Sequence, residues 1–363
     1  MHMLRGWKAP FVTANVFLGG MIGAGFATGQ EVYHYFSRSG QNGMRGVVLV
    51  AVLVMLLCRR VLDISSQCGY DGMPQLLQGV CGKPLGRLCH KVFVVFLFAV
   101  FGIMGSSMGA LLHQLWGIST WLGFGLYVCL MWALLAKGEE GMEALFSVFT
   151  PLMTAGILCL SLYALVARDA TVFAQGIGAK TAEGAMLSAL LYFGYNSILA
   201  VSLLADRGRL LDSPVLRRRT ALLCGGILGV CLMVLCVALA AFRWEIAGLE
   251  IPVLYLAQMG GPRMVRLYTL VVFCAIVTTG AGCGYAIIGG TKREPMPGLN
   301  SQTGRVMLLC VASCCFAWFD FSFLIDKCYG AFGVVGLGLC LCIMWPKHCK
   351  KSIDNLKKIP YNK

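Results

Sequence analysis

Long apolar runs, separated by short polar or turn-rich stretches, dominate the chain. A helix needs about 20 mostly apolar residues to cross the hydrocarbon core of a bilayer. Read with that window, the sequence predicts ten membrane-spanning helices, over residues 10–36, 44–64, 86–113, 117–136, 142–166, 183–205, 217–242, 264–290, 303–320 and 323–345. The period-two alternation of a transmembrane β-strand is absent. The pattern therefore predicts an all-α, polytopic membrane protein.

Composition agrees with this prediction. Of the 363 residues, 58% are hydrophobic and only 13% are charged, whereas a soluble domain carries about 25% charged residues. This deficit excludes an ordinary soluble enzyme, a disordered chain and a nucleic-acid-binding domain. Most of the 18 cysteines lie inside apolar runs, where Cys packs as a small hydrophobic residue. No pair of CxxC sites occurs, so we predict neither structural zinc nor disulfides.

The basic residues lie mostly in the gaps between the apolar runs. If the N-terminus is cytoplasmic, 22 of the 30 Lys and Arg residues fall in inner segments. Since cytoplasmic loops carry an excess of Lys and Arg, this bias favours an even number of spans with both termini inside. The net charge of +14 is then a result of topology. Two explanations fit the basic tail, residues 347–363: it anchors the cytoplasmic end of the last span, or it contacts anionic lipid.

Ten spans divide into five and five, and because five is odd, the second half enters the membrane in the opposite sense. This is the arrangement of an inverted repeat. We predict one repeat over residues 1–170, a second over 171–346, and the tail over 347–363. Each half opens on a span with an unusual centre: five of the twelve residues from 18 to 29 are glycines, and residues 192–197 read Tyr-Phe-Gly-Tyr-Asn-Ser.

Two interpretations explain these centres. Gly in a helix interior costs about 1 kcal/mol relative to Ala, so a cluster of glycines indicates a function. In the first interpretation both spans unwind, and their free amides and carbonyls line a cavity for ions and substrate. In the second, the glycines allow close helix packing, because Gly19 and Gly23, like Gly25 and Gly29, have small-xxx-small spacing. The two interpretations are compatible.

The segment Gly23-Ala24-Gly25-Phe26-Ala27-Thr28-Gly29-Gln30-Glu31 resembles the YkvI-like bacterial membrane proteins, a branch placed with putative amino-acid permeases. More broadly, the five-plus-five plan resembles the LeuT-type fold of the amino acid, polyamine and organocation superfamily. The resemblance implies a secondary active transporter in the bacterial cytoplasmic membrane. Its substrate is expected to be a small zwitterionic solute, such as an amino acid, moved by alternating access.

The resemblance also implies a substrate site at the two interrupted spans. The substrate carboxylate is expected on free backbone N–H groups near Ala24 and Gly25. The sixth span is expected to shape the pocket with Tyr192, Phe193, Tyr195, Asn196 and Ser197. Core packing is the alternative for the two tyrosines. Sodium-coupled relatives often have a tyrosine in the third span near the carboxylate, and residues 101–108 contain none.

A sodium site is implied between the first and eighth spans. Its ligands are expected to be the carbonyls of Gly19, Ile22 and Ala275 and the hydroxyls of Thr278 and Thr279. Positions i, i+3 and i+4 share one helical face, although adjacent threonines are also common as helix-bonded fillers. Some proton-coupled relatives carry a lysine in the fifth span. Residues 152–163 contain no basic residue, which favours sodium as the coupling ion. No other cofactor is expected.

Glu31 is the only acidic residue of the first span. An intramembrane carboxylate indicates a function, so Glu31 is a candidate for coupling or gating. It is expected to carry a proton, or to pair with a cationic substrate or an internal Arg. A position in the outer interface is the alternative.

The sequence contains no enzyme motif in a structural setting that fits it. Residues 105–109 match GxSxG, but that motif requires a strand-turn-helix setting, and here it lies within a predicted helix. HExxH and Walker A motifs are absent. We therefore expect a transporter whose partners are a small-molecule substrate and the lipid bilayer. We expect no nucleic-acid partner. A non-transporting sensor on the same fold and a proton-coupled permease are the alternatives, and the pattern does not predict an oligomeric state.

Overall fold

The computed structural model describes residues 2–70, 72–167, 181–249, 251–291, 301–318 and 321–345. Within these ranges the regular structure is helical, and no strand occurs. The helices are α1 (His2–Met21), α2 (Ala24–Ala27), α3 (Gln30–Tyr35), α4 (Gly40–Cys68), α5 (Met73–Cys81), α6 (Lys83–Trp116), α7 (Thr120–Leu135), α8 (Gly138–Ala167), α9 (Ala182–Leu204), α10 (Pro214–Ala241), α11 (Pro252–Met259), α12 (Gly261–Thr291), α13 (Gln302–Ser313) and α14 (Phe321–Met344). The predicted all-α fold is confirmed.

Each predicted span coincides with helical structure. The first is divided among α1, α2 and α3, and the ninth continues from α13 into a 3₁₀ turn at Cys314–Trp318. By length and composition, five described segments are able to cross a membrane: Lys83–His113, Ala144–Ala167, Ala182–Leu204, Pro214–Ala241 and Gly261–Gly289. Three shorter apolar segments accompany them, at Thr120–Leu135, Thr303–Trp318 and Gly330–Met344.

Hydroxyl side chains determine where three helices begin. The first amides of a helix lack intrahelical partners, and Ser or Thr at the N-cap satisfies one of them. Thr181 accepts from the Gly184 amide before α9, Ser213 from Leu216 before α10, and Ser301 from Gly304 before α13. These starts are encoded locally.

Helices of the first half pack against helices of the second half in equivalent pairs. Helix α4 packs along α10, and α6 along α12. Helix α1 lies against α8 and α10, just as α9 lies against α14 and α4. This is the packing that an inverted repeat would produce if α1–α3 corresponded to α9. The predicted boundary at residue 170 and the tail lie outside the described residues, so the division into units stays a prediction.

A polar network ties the loop between α9 and α10 to α4. Arg217 Nε donates to Asp63 Oδ1 at 2.6 Å, and Arg217 Nη1 donates to the Ser66 hydroxyl at 3.0 Å and to the Leu211 carbonyl at 2.9 Å. A buried charge is tolerated when it is paired and hydrogen-bonded in this way. The network holds α4 and α10 together near the end of the bundle that carries α5.

Candidate functional site

The first span is interrupted at its centre, as predicted. Helix α1 ends at Met21 and α2 begins at Ala24, and two residues of non-helical chain lie between them. Among the described residues, no main-chain amide donates to the carbonyls of residues 19–22, and the amides of residues 23–26 have no main-chain acceptor. Unsatisfied backbone at membrane depth is tolerated only where it is buried in protein or lines a cavity. The break therefore exposes polar main chain inside the bundle.

Close packing accounts for the same glycines. A Cβ at Gly20 would lie 2.5 Å from Leu203 Cδ1 in α9, and one at Gly23 would lie 2.8 Å from Thr279 Oγ1 in α12. A Cβ at Gly25 would overlap the carboxyl group of Glu31. Both sequence interpretations of the first span are thus confirmed: the helix unwinds and neighbouring groups approach its backbone closely.

A cavity opens beside the break, between it and helices α6, α9 and α12. Its lining consists of Gly20, Met21, Gly23, Ala24, Gly25, Glu31, Phe96, Val100, Met104, Tyr195, Asn196, Leu199 and Thr279. Main chain and one carboxyl come from the first span, and side chains come from the other helices.

Glu31 faces this cavity and is buried among protein atoms. The side chain of Glu31 is only 6% exposed. Its carboxyl lies against Gly25, and Tyr195 and Asn196 of α9 line the same cavity. Among the described residues, no Lys or Arg belongs to the cavity lining. The ion pairs found in the described part of the chain use Asp63 and Asp206 instead.

The predicted break in the sixth span is wrong. Helix α9 runs without interruption from Ala182 to Leu204. Asn196 Nδ2 donates to the Tyr192 carbonyl at 3.2 Å and Ser197 Oγ to the Phe193 carbonyl at 2.5 Å, so these polar side chains bond back to the helix. Gly194 serves helix packing, because a Cβ there would overlap the Gly333 carbonyl of α14.

The continuous helix changes which of the predicted substrate residues meet. Ala24, Gly25, Tyr195 and Asn196 line the cavity, and Tyr192, Phe193 and Ser197 do not. A helix turns by about 100° per residue, so Tyr195, Asn196 and Leu199 share a face while Phe193 and Ser197 lie on the opposite one.

Tyr192 lies in an aromatic cluster rather than in the cavity wall. Its ring packs edge-on against Phe36 and Tyr195, with centroids 4.9 and 5.6 Å apart. Its side chain is fully buried, and its hydroxyl has no hydrogen-bond partner among the described residues. Core packing, the alternative for the tyrosines, therefore holds for Tyr192.

The predicted sodium ligands divide into two groups. Thr278 Oγ1 donates to the carbonyls of Cys274 at 2.9 Å and Ala275 at 3.1 Å, so Thr278 and Ala275 are engaged with each other. Thr279 is 5% exposed, and its hydroxyl has no partner in the described part of the chain. The carbonyls of Gly19 and Ile22 also lack main-chain donors. The residues fit a sodium ion in part, through Gly19, Ile22 and Thr279.

Helix α11 covers one end of the broken span. The Val253 amide donates to the Thr28 carbonyl at 3.1 Å, and Tyr268 Oη of α12 donates to the Ala27 carbonyl at 2.6 Å. Gly29 between α2 and α3 has a left-handed φ of +78°, and a Cβ there would overlap Val253. The short helices α2 and α3 are thus held between α11 and the rest of the bundle.

Sequence reasoning missed the apolar wall of the cavity. Phe96, Val100 and Met104 of α6 line it at i, i+4 and i+8, a spacing that places them on one helical face. Because α6 is apolar on every side, its periodicity does not distinguish this face from the others. Leu199 of α9 was missed for the same reason.

Comparisons with known proteins cover almost the whole chain. No family model matches it. The uncharacterized protein YyaD of Bacillus subtilis (strain 168) is 23% identical over 339 residues, which cover 93% of this chain and 97% of YyaD. The uncharacterized membrane protein YkvI of the same organism is 22% identical over 340 residues, which cover 93% of this chain and 95% of YkvI.

Solved structures share the fold at low sequence identity. MhsT in complex with L-phenylalanine superposes with a TM-score of 0.69 at 14% identity and covers 93% of this chain and 88% of MhsT. A Na⁺-coupled sialic acid symporter gives 0.67 at 14% identity, over 94% and 79% of the two chains. Mhp1, a nucleobase-cation-symport-1 family transporter, gives 0.57 at 10% identity, over 96% and 93%. These are transporters rather than enzymes. The chain is thus similar over nearly its whole length to YyaD and YkvI, and it is a multi-pass membrane protein with the LeuT-type fold.

Proposed function

We propose that the chain is a secondary transporter that moves a small solute by alternating access around the cavity at the α1–α2 break. One observation carries this proposal: the first span opens its backbone into a cavity in the middle of an apolar bundle. A protein that only needed to span the membrane would keep α1 continuous, because each unsatisfied backbone group in an apolar medium costs several kcal/mol.

The lining of the cavity supports a small zwitterion, in particular an amino acid, as the solute. Polar groups converge at one side, from the break, Glu31, Tyr195 and Asn196, while Phe96, Val100, Met104 and Leu199 form an apolar wall. A few placed polar groups in a mostly apolar pocket are typical of small-molecule sites. The structure of MhsT, which has the same fold, contains L-phenylalanine.

The predicted topology in a bacterial cytoplasmic membrane, with both termini inside, defines a cytoplasmic side and an outer side of the cavity. In that orientation α5 lies in the cytoplasm and α11 outside. The hydrogen bond from the Val253 amide to the Thr28 carbonyl then closes the outer side. Alternating access would require α11 to separate from α2 while the network around Arg217 stays intact.

Uptake into proteoliposomes tests the transport proposal. Purified full-length protein is reconstituted and supplied with each of the twenty amino acids in radiolabelled form, with a sodium or a potassium gradient. We expect accumulation of at least one amino acid above its external concentration when sodium is high outside, and none in protein-free liposomes. Protein that binds an amino acid but moves none under either gradient would be a sensor, and the transport proposal would then be wrong.

Sodium coupling is proposed through Thr279, together with the Gly19 and Ile22 carbonyls. We expect sodium to raise the unfolding temperature of the wild type relative to potassium, and to have no such effect on Thr279→Val. In potassium, Thr279→Val should be at least as stable as the wild type, because the variant removes a buried hydroxyl whose missing hydrogen bond costs about 1–3 kcal/mol.

The neighbouring threonine supplies the control for that experiment. Thr278→Val removes a hydroxyl that is bonded to its own helix, and it should retain most of the sodium effect. If Thr279→Val responds to sodium as strongly as the wild type does, the ion lies elsewhere.

A further inference from the structure

Among the described residues that line the cavity, Glu31 carries the only carboxyl group, and no Lys or Arg accompanies it. The polar side chains of Tyr195 and Asn196 line the cavity with it, and both are neutral. A buried carboxyl group is stable either with a proton or with a cation beside it. A cation at this place would have to come from outside the described lining.

A second feature of the cavity favours a cation at the same place. Helix α1 is 20 residues long and ends at Met21, and no main-chain amide of the described residues donates to its last carbonyls. The C-terminal end of a helix carries a partial negative charge, and α1 has no basic residue in its last turn. Gly20 and Met21 line the cavity. The end of α1 and the Glu31 carboxyl therefore present negative potential to one small volume.

The same geometry weakens the expectation that a substrate carboxylate binds at Ala24 and Gly25. The Glu31 carboxyl already lies against Gly25, so a second carboxylate there would meet a like charge. Helix α2 has only four residues before the chain turns at Gly29. A helix of one turn supplies too few aligned peptide dipoles to offset that repulsion.

We propose that Glu31 binds the positively charged amino group of the solute, so that the protein is specific for amine-bearing solutes and the ammonium group lies between Glu31 and the carbonyl end of α1. This inference rests on the proposed transport function, since it describes the solute in the same cavity. An ammonium group has three N–H donors and no acceptor, which suits a site made of one carboxylate and free carbonyls. The apolar wall formed by Phe96, Val100 and Met104 then receives the remainder of the solute.

Binding of matched ligands to the purified full-length protein tests this inference without any transport step. The probes are the twenty amino acids, the amines that lack their carboxylate, and the acids that lack their amino group. Binding is measured by thermal shift and titration calorimetry, in sodium and in potassium. We expect at least one amino acid and its decarboxylated amine to bind, and the corresponding deaminated acid to bind at least about 30-fold more weakly, because it leaves Glu31 buried without a cation.

The variant Glu31→Gln keeps the shape of the side chain and removes its charge. It should weaken binding of the amine by about 30-fold or more. The control is Glu183→Gln, an exposed glutamate in the first turn of α9, which should leave binding unchanged. If Glu31→Gln fails to fold, the comparison of amine with acid on the wild type still decides the question.

Four results would overturn the inference: a deaminated acid that binds as well as its amine, no binding by any amine, amine binding within twofold of wild type in Glu31→Gln, or sodium alone stabilising the wild type in a Glu31-dependent way while amines do not. Failure of the transport proposal looks different. Amines that bind through Glu31 but are not moved in proteoliposomes would refute transport and leave the inference standing, whereas transport of a solute without an amino group would do the reverse.

Discussion

The first and sixth spans open the two halves of the chain, yet they build the cavity in different ways. In the first span the helix breaks between Met21 and Ala24, and the span supplies main-chain groups and Glu31. In the sixth, α9 is continuous and supplies the side chains of Tyr195, Asn196 and Leu199. One wall is therefore polar backbone and the other is a helix face.

The difference teaches what a glycine in a membrane helix does. The five glycines of the first span each lie against a different side chain: Phe146, Leu203, Thr279, Glu31 and Val253. The same span loses helical hydrogen bonds at the break. In the sixth a single glycine, Gly194, packs on the backbone of α14, and the adjacent Asn196 and Ser197 bond back to α9. A lone glycine with helix-bonding neighbours marks a crossing of two helices rather than a break.

The largest expected effect comes from filling the broken wall. Gly25→Ala places a methyl group where the Glu31 carboxyl lies, and because overpacking costs about 1–3 kcal/mol, it should weaken solute binding by up to about 100-fold. Calorimetry on the purified variant measures this. Gly226→Ala in α10, where an added Cβ meets nothing within 4 Å, should bind as the wild type does. Equal binding by both variants would mean that the solute does not use the break.

A smaller effect, on stability rather than binding, is expected in the continuous wall. Gly194→Ala forces α9 away from the Gly333 carbonyl and should lower the free energy of unfolding by about 1–3 kcal/mol, measured by thermal or denaturant unfolding in detergent. Gly338→Ala, on α14 with open space around it, is the control and should not destabilise. If Gly194→Ala proved neutral or stabilising, α9 would have to be interrupted there after all.

The smallest effect is expected on the far face of α9. Ser197→Ala removes a hydroxyl that bonds to the Phe193 carbonyl of its own helix, and a backbone carbonyl within a helix keeps its main-chain partner. Stability should change by no more than about 0.5 kcal/mol, and calorimetry should show unchanged affinity for the solute. A marked loss of affinity would show that Ser197 belongs to the substrate site, as the resemblance implies.

Local sequence was sufficient for the ten apolar segments and for the break in the first span. Each rests on neighbours in the chain: some 20 apolar residues in a row, or a cluster of glycines. Even the cap at Ser213, followed by Pro214, is visible in the sequence. Such signals need no knowledge of which helix lies beside which.

Only the tertiary structure decided what the ambiguous residues do, because each decision depends on a partner distant in the chain. At Gly194, α9 packs closely rather than unwinding, because Gly333 and Gly336 of α14 lie against its backbone. Glu31 faces the cavity since α9 and α12 pack beside the broken span and enclose its carboxyl. Thr278 and Thr279 are adjacent and chemically identical, yet one hydroxyl bonds to its own helix and the other is buried against Gly23 without a partner. Hydrophobic periodicity records that a residue is buried, whereas the group that it meets there is determined by the packing of helices.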